Sequence, residues 1–141
     1  MTKLPTHWTL VCFAAGLVMA PAAQAQDTVL DIFSQTCRAC HGASANAVDR
    51  AAPPIFAAKN HYSDLTDKDA FVAALSAYIQ SPSEATSRMP GAIKKFGLMP
   101  DLGLDAETAD KLAEFVWQTD FNAPDWYRKH YEEEHGTAPS N

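Results

Sequence analysis

Cys37-Arg38-Ala39-Cys40-His41 is the stretch on which the reading of this chain turns. At the end of a helix, two thiols three residues apart share one face, and here an imidazole follows directly. The preceding residues support such a helix. Val29, Ile32, Phe33 and Thr36 recur at helical spacing behind Asp27, a suitable N-cap, so the spacing predicts a helix from about residue 28 to 39. On the other side of the motif, residues 42–64 are rich in Ala, Gly, Asn and Pro, and Pro53-Pro54 forbids regular helix at that point.

Further along, a second helix is predicted from Thr66 to about Gln80. Thr66 and Asp69 resemble a capping box, with Asp in place of the usual Glu or Gln. Its apolar stripe is Phe71, Ala74, Leu75, Tyr78 and Ile79, and Pro82 marks its end. Residues 81–103 carry Pro82, Pro90, Gly91, Gly97, Pro100 and Gly103 and read as irregular chain. Asp105 is a good N-cap for a third helix bearing Ala109, Leu112, Ala113, Val116 and Trp117, which ends before Asn122 and Pro124. From Trp126 the tail starts amphipathic and ends polar. No useful alternation of apolar and polar residues occurs, so strands are not expected. The predicted class is all-α, with three main helices and long loops. Long loops in a small domain need something to organise them, and three apolar helix faces can cover a flat apolar ligand.

The chain has 141 residues, enough for one compact domain. Residues 1–25 differ in character from the rest. Lys3 precedes an apolar stretch from Thr9 to Ala20, and Ala23-Gln24-Ala25 has the small-x-small form of a signal-peptidase site. The apolar run is too short to span a bilayer of about 30 Å. The expected division is therefore a cleaved signal peptide over 1–25, a main domain over 26–121, and a C-terminal extension over 122–141 that is partly helical or disordered. Export to the periplasm and no membrane span after cleavage follow from it. Cleavage removes Cys12 and leaves Cys37 and Cys40 as the mature cysteines. Ten basic side chains then face seventeen acidic ones, a net charge of −7. That balance excludes nucleic acid as a partner, since its phosphates require a basic face.

C-x-x-C-H is the pattern of covalent c-type haem attachment. The two thiols can each add across one haem vinyl group, and the adjoining His41 can ligate iron. Three other readings compete. A disulfide is possible in an oxidising compartment. A redox dithiol usually sits in a βαβ setting that the chain lacks. A zinc site would need a close second pair, and His130 and His135 are far outside zinc-finger spacing. The signal segment and the helical surroundings favour haem.

The chain resembles the small class I, mono-haem cytochromes c. The likeness runs from the helix with Phe33 through Cys37-Arg38-Ala39-Cys40-His41-Gly42 and Ala52-Pro53-Pro54-Ile55 to Met99-Pro100-Asp101-Leu102-Gly103-Leu104 and the helix after it. It implies a cytochrome c-like fold around one haem c, held by thioethers from Cys37 and Cys40. His41 would be the proximal iron ligand, its free ring nitrogen donating to the carbonyl of Pro53, with Pro54 as the alternate. A methionine would take the distal position. Met99, just before the last helix, fits the family pattern, and Met89, also followed by proline, is its rival. Phe33 and Tyr78 would line the pocket.

The function so implied is electron transfer. One electron passes between transient donor and acceptor proteins, with no catalytic residues and no enzyme activity of the chain's own. Two alternatives stand beside it: a haem subunit of a larger oxidoreductase, and a gas-binding or sensing protein if the sixth iron position is open. His61 reads as surface or as a haem-propionate donor. The other aromatics read as pocket packing rather than an electron relay. The tail, with His130 and His135, reads as a solvated amphipathic helix, a metal site or a docking arm.

Overall fold

A computed structural model describes residues 28–42 and 50–139. The expected signal peptide with Cys12, and the expected cap Asp27, lie outside the described residues. Within them every regular element is helical and no strand occurs, so the all-α expectation holds.

The first helix, α1, covers residues 28–41 and changes winding halfway. Phe33–Cys37 is π-helical, closed by the Arg38 N–H donating to the Phe33 carbonyl five residues back, and Arg38–His41 resumes α geometry. Such π-turns are rare and recur at functional sites. The wide turn shifts the phase of the residues after it relative to the start of α1, and Cys37 packs against the same core as Val29 and Ile32.

The short helix α2 (Ile55–Asn60) occupies a stretch that reads as loop from sequence. Its start explains the difference. Buried Pro54 is the N-cap, and its carbonyl accepts from the Ala57 and Ala58 amides at 2.9 and 3.0 Å. Proline breaks a helix from inside but is tolerated at its beginning.

Helix α3 (Lys68–Gln80) begins one residue after the true cap, which is Asp67 rather than Thr66. The Asp67 carboxylate accepts from the Ala70 amide at 3.0 Å. Helix α4 (Pro90–Phe96) is a second departure from the sequence expectation, since residues 81–103 read as irregular. Pro90 sits at N1, where its missing N–H costs nothing, and Met89 caps with its carbonyl accepting from Ala92 and Ile93. Gly97, at φ +83°, ends α4 in a conformation that a side chain would strain.

Helix α5 (Ala106–Gln118) starts at Asp105, as expected, with the carboxylate accepting from the Thr108 amide at 2.7 Å. The last helix, α6 (Asp125–His135), closes the described chain.

The core forms where α3 crosses α5 and α1 packs beside them. Phe71, Leu75 and Ile79 meet Leu112, Val116 and the fully buried Ala109 and Ala113, and Phe33 joins from α1. Phe33 stacks at 5.0 Å on Phe115. Between α3 and α5 the Ser76 hydroxyl, buried in the interface, donates to Asp110. A second, smaller core holds the tail. Tyr127 and Tyr131, one helical turn apart on α6, pack on Phe56 and Ala57 of α2. The tail is thus docked rather than merely solvated. Lys59 of α2 adds a tie, donating to the Trp117 and Thr119 carbonyls at 3.1 and 2.8 Å and satisfying the orphan acceptors at the end of α5.

Candidate functional site

The site begins at the end of α1. Gly42 turns the chain away there, its amide donating to the Arg38 carbonyl at 2.9 Å. Its φ of −60° is ordinary, so backbone freedom is not what demands glycine. The demand is space: a Cβ at Gly42 would stand 2.7 Å from the Arg38 carbonyl oxygen. Gly42→Ala should therefore push apart the turn that carries His41, at a cost of about 1–3 kcal/mol. Urea denaturation of the purified variant reads this directly, and a midpoint equal to that of the parent would refute the steric account.

His41 is anchored by its ring. Nδ1 donates to the Pro53 carbonyl at 2.7 Å. A carbonyl can only accept, so the proton sits on Nδ1 and Nε2 keeps its lone pair. Burial pushes the His41 pKa below its usual 6.5, against the opposing pull of the Pro53 bond. The ring is accordingly neutral at pH 7, the form in which imidazole ligates a metal. The two adjacent prolines divide the work: the Pro53 carbonyl holds His41, while that of Pro54 starts α2.

Cys37 is half-buried and Cys40 exposed, and both are free thiols. Burial raises the Cys37 pKa, and the neighbouring Cys40 adds to the rise. Both thiols, His41 and Pro53 line a single cleft that encloses about 1220 Å³, solvent at its mouth included. Phe33, Tyr78, Met89 and Met99 line the same cleft. Cys37, Cys40, His41, Pro53, Phe33, Tyr78, Met89 and Met99 thus border one space, although they come from four separate parts of the chain; of the other aromatics expected as pocket packing, Phe96 lines it too, whereas Phe71, Phe115 and Trp117 belong to the main core. The remaining walls are largely apolar, with Leu75, Ile79, Leu112 and Val116 among them, and among the described residues no carboxylate joins the lining.

The two methionines differ in surroundings. Met89 is fixed at the N-cap of α4, its amide accepted by the Ser87 hydroxyl at 3.1 Å, and its side chain packs on the Phe56–Tyr127–Tyr131 cluster. Met99 stands in the loop between α4 and α5, half-buried, with exposed Leu98 before it and Pro100 after it.

Arg88 also lines the cleft, and nothing in its sequence context singled it out. Its guanidinium lies 5.1 Å from the Tyr62 ring centre, pairs with Asp64, and donates to the His61 carbonyl at 3.1 Å. It thereby pins the loop after α2 to the approach of α4. Tyr62, also in the lining, has its pKa pushed up to about 12, chiefly by burial.

His61 faces the tail instead of lining the cleft. Its ring lies 5.6 Å from His135 and 6.2 Å from Tyr131. His130 pairs with Glu134 at 3.4 Å. Among the described residues no three His, Cys, Asp or Glu side chains converge to hold a metal ion, so the tail does not assemble the metal site that its sequence suggested.

The His61 contact makes the tail sensitive to acid. Burial lowers the His61 pKa below 6.5, with His135 and Arg88 acting in the same direction and Glu134 against it. Below 6.5 the unfolded ring binds more protons than the folded one. The stabilisation from the neutral ring is therefore complete above 6.5 and is lost as pH falls toward the folded pKa. Hydrogen exchange at residues 127–135 should quicken between pH 7 and pH 5, after correction for the intrinsic pH dependence. His61→Gln should flatten that response. Equal corrected protection at both pH values in the parent would contradict it.

No helix among the described residues is long and apolar enough to cross a membrane. Compared with models of known protein families, with curated proteins and with solved structures, the chain matches none.

Proposed function

We propose that this chain is a mono-haem c-type cytochrome of class I, with a cytochrome c-like fold, exported to the periplasm through a cleaved signal peptide over 1–25 and carrying one electron between transient protein partners. The observation that carries this reading is the neutral, Pro53-anchored His41 beside two free thiols in one apolar cleft. Each part suits the group. Free thiols on adjoining turns are available for thioether bonds. A bare Nε2 on an oriented ring is a ready iron ligand. A largely apolar wall suits a large aromatic macrocycle. The likeness of Met99-Pro100-Asp101-Leu102-Gly103-Leu104 to the family's distal segment adds to it.

When bound, the haem supplies a one-electron iron couple whose potential follows from its axial ligands, burial and hydrogen bonds. The chain's own residues do the rest. Cys37 and Cys40 would tether the group, His41 would ligate its iron, and Pro53 holds the His41 tautomer. Met99 would be the second protein ligand, because Met89 already has a packing partner in the α2–α6 cluster. Leu75, Ile79, Leu112 and Val116 keep water from the cleft.

The deciding experiment is expression with a cytochrome maturation system, followed by mass spectrometry and spectra in both redox states. The expected mass is that of the chain from Gln26 plus one haem. The reduced form should be low-spin and slow to bind carbon monoxide. A bare polypeptide with Cys37 and Cys40 joined to each other would end the proposal. Prompt carbon monoxide binding at neutral pH would replace the carrier with a gas-binding protein.

A further inference from the structure

His61 and His135 meet beside the smaller core, each held by its own element. His61 ends α2, where its amide donates to the Ala57 and Ala58 carbonyls at 3.3 and 3.2 Å and its own carbonyl accepts from Arg88. His135 is the last residue of α6, and its ring lies 4.3 Å from that of Tyr131, one turn back. Tyr131 is fixed in turn. It is buried in the Phe56 cluster, and its hydroxyl donates to the Asn60 carbonyl at 3.3 Å. The docking of α6 on α2 therefore sets the distance between the two imidazoles.

That distance suits a shared metal ion. An imidazole nitrogen binds zinc at about 2.1 Å, and two rings so bound at tetrahedral or somewhat wider angles have centres about 5–6 Å apart. The His61 and His135 rings are 5.6 Å apart and inclined at 81°. The surroundings favour a cation. His135 closes α6, where the last carbonyls concentrate partial negative charge. The Glu134 carboxylate also acts on His61, while Arg88, the cation near that ring, pairs with Asp64. Burial, helped by the proximity of His135, holds the His61 pKa below 6.5, so the ring is neutral at pH 7, as a ligand must be. His135 is exposed, which leaves the ion a way in and water to complete its shell. Among the described residues no third side chain of the kind converges, so this is an open two-ligand site rather than a closed structural one.

We propose that His61 and His135 form a clamp for one divalent late transition-metal ion, which staples α6 to the end of α2. Imidazole suits zinc, copper and nickel alike, and zinc is the probe used below. The inference stands apart from the haem reading, since neither ring lines the cleft.

The test is zinc titration of the purified protein at neutral pH by calorimetry, paired with hydrogen exchange at residues 127–135. The parent should bind zinc, and at ten times the dissociation constant exchange in the tail should slow by about tenfold, because only the docked helix offers both rings. A chelator should reverse the slowing. His61→Gln and His135→Gln should each weaken binding by about tenfold or more and abolish the slowing, whereas His130→Gln should change either by less than about twofold. Each variant without zinc is its own reference, and matching far-ultraviolet spectra establish that all of them fold. Zinc held equally by the parent and both variants, as free Cys37 and Cys40 would hold it, overturns the proposal. Binding that leaves tail exchange unchanged, slowing that needs His130 rather than His61, or no binding at all overturns it likewise.

Discussion

Cys37→Ala combined with Cys40→Ala is expected to abolish covalent haem completely and to leave a chain that does not fold stably. The first effect follows from chemistry: without either thiol there is no thioether, and the mass should drop to that of the bare polypeptide. The second follows from how much of the structure faces the cleft. Phe33 of α1, Leu75 and Ile79 of α3, and Leu112 and Val116 of α5 belong both to the main core and to the cleft lining. With nothing in the cleft, these side chains lose apolar contact on one side, at roughly 25 cal/mol for each Å² returned to water. A domain of this size has few kcal/mol to spare. Circular dichroism should show the loss of helix together with the loss of mass. The single variants separate the two causes, since one remaining thioether should retain the group and most of the helix. A fully helical, cooperatively melting double variant without haem would show that the fold does not depend on the cleft being filled.

The second large effect is expected at the two methionines, which should behave in opposite ways. Met99→Ala removes the proposed distal ligand. The iron should become accessible, carbon monoxide should bind the reduced form promptly, and the potential should fall, because thioether ligation raises it. Met89→Ala should leave the spectrum almost unchanged and cost stability instead, about 2 kcal/mol, at the low end for a methionine because the side chain is half-exposed. Its loss would be felt where it packs, at Phe56, Tyr127 and Tyr131, so the tail should loosen first. Spectra with and without carbon monoxide, together with urea denaturation, read both effects on the same samples. If Met89→Ala opens the iron and Met99→Ala only destabilises, the two roles are exchanged.

The features legible in the sequence were those set by near neighbours. The thiols and imidazole at 37, 40 and 41 are legible because spacing along one short segment determines their common position. The apolar stripe of α3 and the Asp105 cap of α5 are legible for the same reason: periodicity and capping act within one or two turns. The misreadings have local causes too. Pro54 and Pro90 look like interruptions, yet each opens a helix, and whether a proline ends or begins one depends on the residues after it. Thr66 and Asp67 are both competent caps, and the backbone placed Asp67 at the boundary.

Other features have no signature along the chain. The π-turn at Phe33–Cys37 shifts the phase of the motif relative to the start of α1, and its residues are of ordinary types. Lys59 reads as a surface lysine until the end of α5 is brought over it. Tyr127 and Tyr131 read as one side of a solvated helix until α2 offers Phe56. Arg88 acquires its partners from the loop after α2.

Amino-acid order alone therefore specified the helical class and set out the residues at 37–41 and the two Met-Pro pairs on which the proposed function rests. Assembly of the domain settled which carbonyl holds His41, that both methionines and both thiols border one cleft, and that the tail closes over α2. The physical reason is range. Capping, helical phase and motif spacing are interactions over a few residues, while burial, the choice between Pro53 and Pro54, and an anchored imidazole arise only when segments distant in the chain share a volume.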